Sequence, residues 1–306
     1  MSSPCTPSSA SEYAAFLRTA GFKTWEIGGV HWFEYNGFLR PATLPHCTPQ
    51  ISRDLAKQAL KEAGSHFARW DSDFGSETAS PWWYVVRSGP YEMAQVSGNT
   101  RSKIRRGAKR LTARKATVDE IEAQGMDVCR AAVGRYGESH FLPTPEAFAG
   151  KIQAAREHPE SFEFFGAFAD DTLVAFSENQ IQGSAVFWES IWYDPDALRN
   201  YSSYLLTHEM LEHYLNERGM EYASDGSRSL YHDTNVQAFF VDKFGFERRY
   251  TRMHIVYSSL LGPAVGALYP LRSLVDGLAE KTSLDAVKRV QGLLVQEGIA
   301  RECKRA

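Results

Sequence analysis

An α/β fold of the α+β kind, with a largely antiparallel sheet flanked by helices, is predicted by three features of the sequence. The first is a run of three β-prone segments joined by tight turns: FEFFGAFA, Asp170-Asp171, TLVAFSENQIQ, Gly183 and SAVFWESIWY. Runs of Phe, Val, Ile and Trp bounded by turn residues read as an antiparallel meander. The second is the stretch from about Asn200 to Glu217, where Tyr201, Tyr204, Leu205, His208, Leu211 and Leu215 recur at helical spacing. The third follows it: MEYASDG as a strand, Asn235 to Lys243 as a short helix stopped at Gly245, and RMHIVYSS as a closing strand.

Taken in chain order, residues 1–10 read as a flexible tail of Ser, Pro and Thr. Ser11 caps a short helix from Glu12 to Thr19. The aromatic segments KTWEIG and VHWFEY are strands, and Asn36-Gly37 before FLRPATL marks a hairpin turn. Residues 51–63 form a helix on Leu55, Ala56, Ala59 and Leu60, ended by Gly64. HFARW and WWYVVR are strands on either side of a polar loop, DSDFGSETASP, and a basic segment opens at Ser97-Gly98-Asn99-Thr100. Helices are expected over 117–133 and 145–157, and two or three amphipathic helices over 264–302. This divides the chain into a tail (1–10), a partial α/β lobe ending in a basic helix (11–116), a second domain (117–260) and C-terminal helices (261–306).

The 306 residues are 43 % hydrophobic and 23 % charged with a net charge of −3, the balance of an ordinary globular protein with room for two domains. No run approaches the roughly 20 apolar residues of a membrane span. The opening MSSPCTPSSASE lacks a basic stretch followed by an apolar one, so a cytoplasmic location is expected. Cys5, Cys47, Cys129 and Cys303 are far apart, which predicts four reduced thiols. No cluster calls for a metal. His208 and His213 resemble a zinc helix, but five residues of about 100° each set them about 140° apart.

Charge is segregated in one place. Arg101, Lys103, Arg105, Arg106, Lys109, Arg110, Arg114 and Lys115 fall in one stretch with no acidic residue among them. Read as a helix, it puts Arg101, Arg105 and Lys109 on one face and Arg106, Arg110 and Arg114 on another. It is either a solvated helix or a site for a phosphate-rich partner such as RNA. Trp70, Trp82 and Trp83 precede it, as core residues or as stacking platforms for bases.

The order of meander, long helix, strand, short helix ending in KFGF and final strand resembles the GNAT acyltransferase fold over about residues 117–257. With the basic SGNTRSKIRRGAKR segment and a preceding α/β half, it resembles the two-lobed Fem-type branch. Members of that branch take amino acids from aminoacyl-tRNA or use related acyl donors. The resemblance implies a donor-phosphate site at Arg199, Asn200, Tyr201, Ser202 and Ser203, where backbone N–H groups and a helix N-terminus favour an anion. It also implies that backbone N–H groups from Ile191 to Tyr193 polarise the acyl carbonyl, and that Asn235 opens the short helix at the donor site. Tyr201 and Ser203, or Tyr204 in the other alignment, stand where acyl-CoA users carry small residues. The short helix has Phe240 and Val241 where those enzymes carry a Tyr, and Val241 where Fem-type relatives carry a Lys.

Acyl transfer to an amine needs a base and donors for an oxyanion. Glu189, in step with Ala185, Phe187 and Ile191, is one candidate base, because apolar surroundings raise a carboxyl's pKa. Asp225, where the next strand ends, is the other. The sequence, with the resemblance, thus points to an N-acyltransferase working by direct attack with acyl-CoA, the default donor of the fold, as cosubstrate, aminoacyl-tRNA being the alternative donor, and with no tightly bound cofactor. Its acceptor is an amine-bearing small molecule or peptide. The alternative is a non-catalytic module of the same fold whose residues Arg101, Lys103, Arg105, Arg106, Lys109 and Arg110 bind RNA or another polyanion.

Overall fold

The computed structural model describes residues 7–136, 142–230, 235–282 and 284–305. The chain opens with helix α1 (Pro7–Thr19) and strands β1 (Thr24–Ile27), β2 (Val30–Tyr35) and β3 (Phe38–Pro41). Helix α2 (Arg53–Ala63), strands β4 (Phe67–Ser76) and β5 (Trp83–Ser88) and helix α3 (Gly98–Gly107) come next. They are followed by β6 (Thr112–Ala116), α4 (Val118–Tyr136) and α5 (Pro145–Glu157). The meander is β7 (Phe162–Ala169), β8 (Thr172–Gln182) and β9 (Ala185–Tyr193). Helix α6 (Ser202–Leu211), β10 (Tyr222–Ser227), α7 (Asn235–Phe244) and β11 (Glu247–Tyr257) continue the order. Helices α8 (Leu261–Leu268), α9 (Arg272–Lys281) and α10 (Asp285–Cys303) close the chain.

Local chemistry accounts for the helix ends. Ser52 and Thr144 accept from the backbone N–H groups of Leu55 and Ala147, satisfying donors that the first turns of α2 and α5 leave open. Gly64 ends α2 at φ 65°, a left-handed conformation that costs glycine little.

The fold is mixed α/β with a mostly antiparallel sheet, and it forms two compact units. One comprises Met1–Phe22, Val85–Gly226 and Val236–Glu247; the other comprises Lys23–Tyr84, Ser227–Asn235 and Arg248–Ala306. In the first unit the strands run in the order β5-β10-β9-β8-β7-β6. Strands β6 to β9 are antiparallel, and β9 pairs β10 in parallel. Phe162, Phe164, Phe168 and Phe176 are buried on this meander, each contributing about 1.5–3 kcal/mol through removal from water. In the second unit the order is β1-β2-β3-β4-β11. Trp70 and Trp82 are buried there, while Trp83 lies under the guanidinium groups of Arg228 and Arg248. Helix α10 belongs to this unit: Ile299, Ala300 and Cys303 pack with Trp82, Met253 and Ile255.

Several expectations are corrected. Helix α1 starts at Pro7, ahead of Glu12. The predicted loop DSDFGS is part of β4, because β11 pairs with it as far as Ser76. The basic stretch is not one helix. After Gly107 the chain turns, with Arg110 and Leu111 both donating to the Gly107 carbonyl, and Arg114 and Lys115 lie on β6. There Arg114 pairs with Glu120 at 2.6 Å and Lys115 pairs with the buried Glu163. The helix expected from Asn200 starts at Ser202, after a turn of 3₁₀ helix over Ala197–Asn200, and widens into a π-helix over Glu212–Glu217. Cys129 and Cys303 are free and buried, but Cys47 is bonded in a disulfide, against the expectation of four thiols. Cys5 lies outside the described residues, as does most of the predicted tail. Among the described residues no helix is long and apolar enough to cross a membrane.

Candidate functional site

The first unit contains a place where its sheet opens. Strands β9 and β10 pair only from Ala185 to Phe187 and from Tyr222 to Ser224, although β9 runs on to Tyr193 and β10 to Ser227. At the last pair, the Ser224 hydroxyl donates to the Val85 carbonyl on β5 at 2.9 Å and accepts from the Gly226 N–H. On the other side β9 stays bound to β8, and the Asp194 N–H donates to the Val174 carbonyl. By antiparallel alternation, the N–H groups of Ile191 and Tyr193 then point away from β8, into the gap. Two such amides are suited to an oxyanion.

Tyr193 ends β9, Asp225 lies on β10 just past its last pair with β9, and the two act on each other. Burial pushes the Asp225 carboxyl well above the usual carboxylate range, with a hydrogen bond from Gln237 of α7 pulling the other way. Burial, then the Asp225 charge, raises the Tyr193 phenol, and Thr207 of α6 stands beside it. A carboxyl tuned upward and a phenol kept protonated have the properties that proton transfer asks for.

Glu189 has a different setting. The register steps from Glu178↔Ser190 to Asn179↔Trp188, so Glu189 is the extra residue of a β-bulge. The bulge breaks the alternation that would have aligned it with Phe187 and Ile191, and the residue is exposed rather than set among apolar neighbours. Its carboxylate accepts from the Tyr13 hydroxyl of α1 at 2.6 Å and lies 3.9 Å from Lys151 of α5, which also pairs with Glu178 at 2.8 Å. Ser177, adjacent to Glu178 on β8, faces Met210 of α6. Glu189 therefore lies on the α5 side of the sheet, and Tyr193, beside Thr207 of α6, on the other.

Near the gap, α6 begins. Tyr201 precedes it at φ 62°, a left-handed conformation that costs a non-glycine residue on the order of 1 kcal/mol. Ser202 is fully buried, and its hydroxyl has no hydrogen-bond partner among the described residues. The basic helix α3 docks on this end of α6. Gly107 permits it: a Cβ there would lie 3.1 Å from the Leu205 Cβ and 3.2 Å from the Tyr201 carbonyl. Lys103 donates to the Tyr204 hydroxyl at 3.0 Å, Arg106 to the Tyr201 hydroxyl at 3.3 Å, and Arg110 to the Asn200 side chain at 2.8 Å.

Two groups that the sequence read separately are thus one cluster, with Lys103, Arg106 and Arg110 around Asn200, Tyr201 and Tyr204. Arg105, Lys109 and Arg199 are exposed, and Ser203 is half-buried. Arg101 instead donates to the Ala94 and Val96 carbonyls, holding the approach to α3. Asn235 is the first residue of α7. His208 is buried with its Nδ1 3.1 Å from the Tyr91 hydroxyl, and burial lowers its pKa. The sequence reading missed the Tyr193 side chain, Thr207 and Gln237; only the position of Tyr193 at the end of a buried strand hinted at the first.

A family model described as an acetyltransferase (GNAT) domain matches residues 98–224. No curated protein matches the sequence. Among solved structures, the C-terminal domain of a protein assigned as a lysylphosphatidylglycerol synthetase from Agrobacterium fabrum is similar, with a TM-score of 0.55, 14% identity and 88% of this chain and 95% of that one covered. FemX gives a TM-score of 0.55 at 10% identity, covering 85% of this chain and 93% of that one. A conserved protein of unknown function from Bacteroides thetaiotaomicron gives 0.54 at 9% identity, covering 84% and 93%. Residues 98–224 thus match a GNAT acetyltransferase domain, and the chain as a whole has a FemX-like mixed α/β fold.

Proposed function

We propose that the protein transfers an aminoacyl group from aminoacyl-tRNA to an amine acceptor. The carrying observation is the docking of α3 on the start of α6, which gathers Lys103, Arg106 and Arg110 around Asn200, Tyr201 and Tyr204. In a loop that binds a pyrophosphate, backbone amides must be approached closely and small residues leave the room. Here Tyr201 and Tyr204 occupy that room and are bonded to cations. Exposed Arg105, Lys109 and Arg199 extend the positive surface, as the phosphates of a nucleic acid require.

In this reading the acceptor nitrogen attacks the ester carbonyl carbon, and the bond from that carbon to the 3′-terminal ribose oxygen breaks. The N–H groups of Ile191 and Tyr193 receive the oxyanion. Asp225, in its ionised form, takes the proton that the amine loses; Tyr193, protonated because its pKa is raised, gives one to the leaving oxygen and recovers it from Asp225, which restores both groups. The products are an amide and free tRNA, with no covalent enzyme intermediate.

A second reading keeps acyl-CoA as donor. It is favoured by the start of α6, where Ser202 has a buried hydroxyl without a hydrogen-bond partner among the described residues, and by the acetyltransferase match. Melting temperature separates the readings, since ligands of the native state raise it. Charged tRNA should raise it strongly in low salt and weakly in high salt, with acetyl-CoA inert. A salt-insensitive rise with acetyl-CoA would install the second reading. A rise with tRNA that is indifferent to charging, without turnover, would make the protein a binding module.

A further inference from the structure

The second unit holds a serine and a histidine in contact on one face of its sheet. Trp70 of β4 and His254 of β11 are partners in the antiparallel register, and Ser72 follows Trp70 by two residues, so all three side chains share that face. The Ser72 hydroxyl lies 2.7 Å from the His254 Nε2 and 3.2 Å from a carboxylate oxygen of Asp73. Ser72 and His254 are half-buried, which leaves the hydroxyl within reach of a molecule in solution.

The imidazole is held and kept neutral. Trp70 stacks on it, with ring centres 5.1 Å apart and 14° between the planes. Burial, the largest influence, lowers the His254 pKa; Lys304 and Arg252 act in the same sense, and Asp71 and Asp73 oppose them. A neutral ring with its proton on Nδ1 accepts at Nε2 from the hydroxyl, and the two carboxylates then favour the imidazolium that forms. The backbone after Ser72 departs from the ladder. The register passes from Ser72↔Arg252 to Ser76↔Tyr250, so residues 73–75 face Thr251 alone, and Asp73 takes φ 55°. The Ser72 carbonyl points to β11, where the Thr251 hydroxyl donates to it at 2.7 Å. Across the same trans peptide the Asp73 N–H points away from β11, on the side where β3 has already ended at Pro41. A nucleophile, a base and the N–H of the residue after the nucleophile are the parts of an acyl-transfer centre.

We propose that Ser72 is a nucleophile activated by His254, and that the second unit cleaves carboxylic esters there. The Ser72 oxygen attacks the ester carbonyl carbon as its proton passes to the His254 Nε2, and the Asp73 N–H receives the oxyanion. The bond from that carbon to the alcohol oxygen breaks, and the alcohol leaves with the proton from Nε2. Water then attacks the acyl-serine by the same route, which releases the carboxylic acid and restores Ser72 and His254. The centre shares no residue with the gap between β9 and β10, so the proposal stands whatever donor binds there.

The test is labelling of the whole protein with a fluorophosphonate probe, read by peptide mass spectrometry, beside hydrolysis of p-nitrophenyl acetate. The label should fall on Ser72, and both label and hydrolysis should be lost in Ser72→Ala. In His254→Gln labelling should slow by about 10²-fold or more, the usual contribution of a general base. If His254→Gln melts well below wild type, Ser72→Cys is the substitute. Its thiol, paired with an imidazole, should be alkylated by iodoacetamide nearly as fast at about pH 7 as at about pH 8.5. No label on Ser72, a label equally strong on Ser76 of the same strand, an unchanged rate in His254→Gln, or the steep pH dependence of an ordinary thiol in Ser72→Cys would overturn the proposal.

Discussion

Lys103 donates to the hydroxyl of Tyr204 at 3.0 Å, and its ammonium lies 4.7 Å from the centre of the same ring. One side chain thereby fixes the middle of the basic helix to the first turn of α6. The contact needs the close approach that Gly107 allows, one turn further along α3. A charged segment and a helix N-terminus, 95 residues apart between Arg106 and Tyr201, become a single surface.

Gly107→Val should lower both stability and tRNA affinity. Its side chain would press on Leu205 and the Tyr201 backbone, and overpacking of this kind costs about 1–3 kcal/mol. Chemical denaturation and filter binding would report it; an unchanged affinity would mean that the α3–α6 contact is not part of the donor site.

Asp225→Asn should reduce turnover by about 10²–10⁴-fold, the usual contribution of a general base. Glu189→Gln should leave turnover within a few-fold, because its partners are Tyr13 and Lys151 on the α5 side of the sheet. The reverse ranking would move the base to Glu189.

The same Asp225 carries a pH signature. Its folded pKa is raised, so between the unfolded value, near pH 3.9, and the folded one the native state holds a proton that the unfolded chain has released. That contribution is fully present below the unfolded value and is lost as pH rises through the folded one. Relative to wild type, Asp225→Asn should therefore gain stability progressively above about pH 4. Equal melting curves for the two across the acid and neutral range would show that burial does not tune this carboxyl.

Tyr193→Phe tests the proton returned to the leaving oxygen. Turnover should fall while binding of charged tRNA holds, since the N–H group at this position is unchanged. A loss of binding equal to the loss of turnover would give the phenol a positioning role instead.

Much of this was legible from the residues. Alternating aromatic and β-branched runs with Asp170-Asp171 and Gly183 between them specify the meander, because turn chemistry and period agree there. The stripe from Tyr204 to Leu215 gave α6 in the same way. The bulge at Glu189 was not legible: one inserted residue reverses the side on which a side chain lies, and nothing in WESIW marks it. Nor was the parting of β9 from β10 after the pair Phe187–Ser224, which no run of residue types marks. Gly107 was a visible helix stop within the basic run, yet charge counted as a block concealed that Arg114 and Lys115 pair with Glu120 and Glu163 on a strand. Charge can be summed from a sequence; its partners come from topology.

The central claim is that the α3–α6 cluster holds the phosphates of a charged tRNA. It is tested most directly by the salt dependence of charged-tRNA binding to wild type and to the triple variant Lys103→Gln, Arg106→Gln, Arg110→Gln. Each lost phosphate contact should flatten the slope of log K against log salt by about 0.7–0.9. A slope flattened by two to three such steps is the predicted result, and a slope identical in the two proteins would contradict the account.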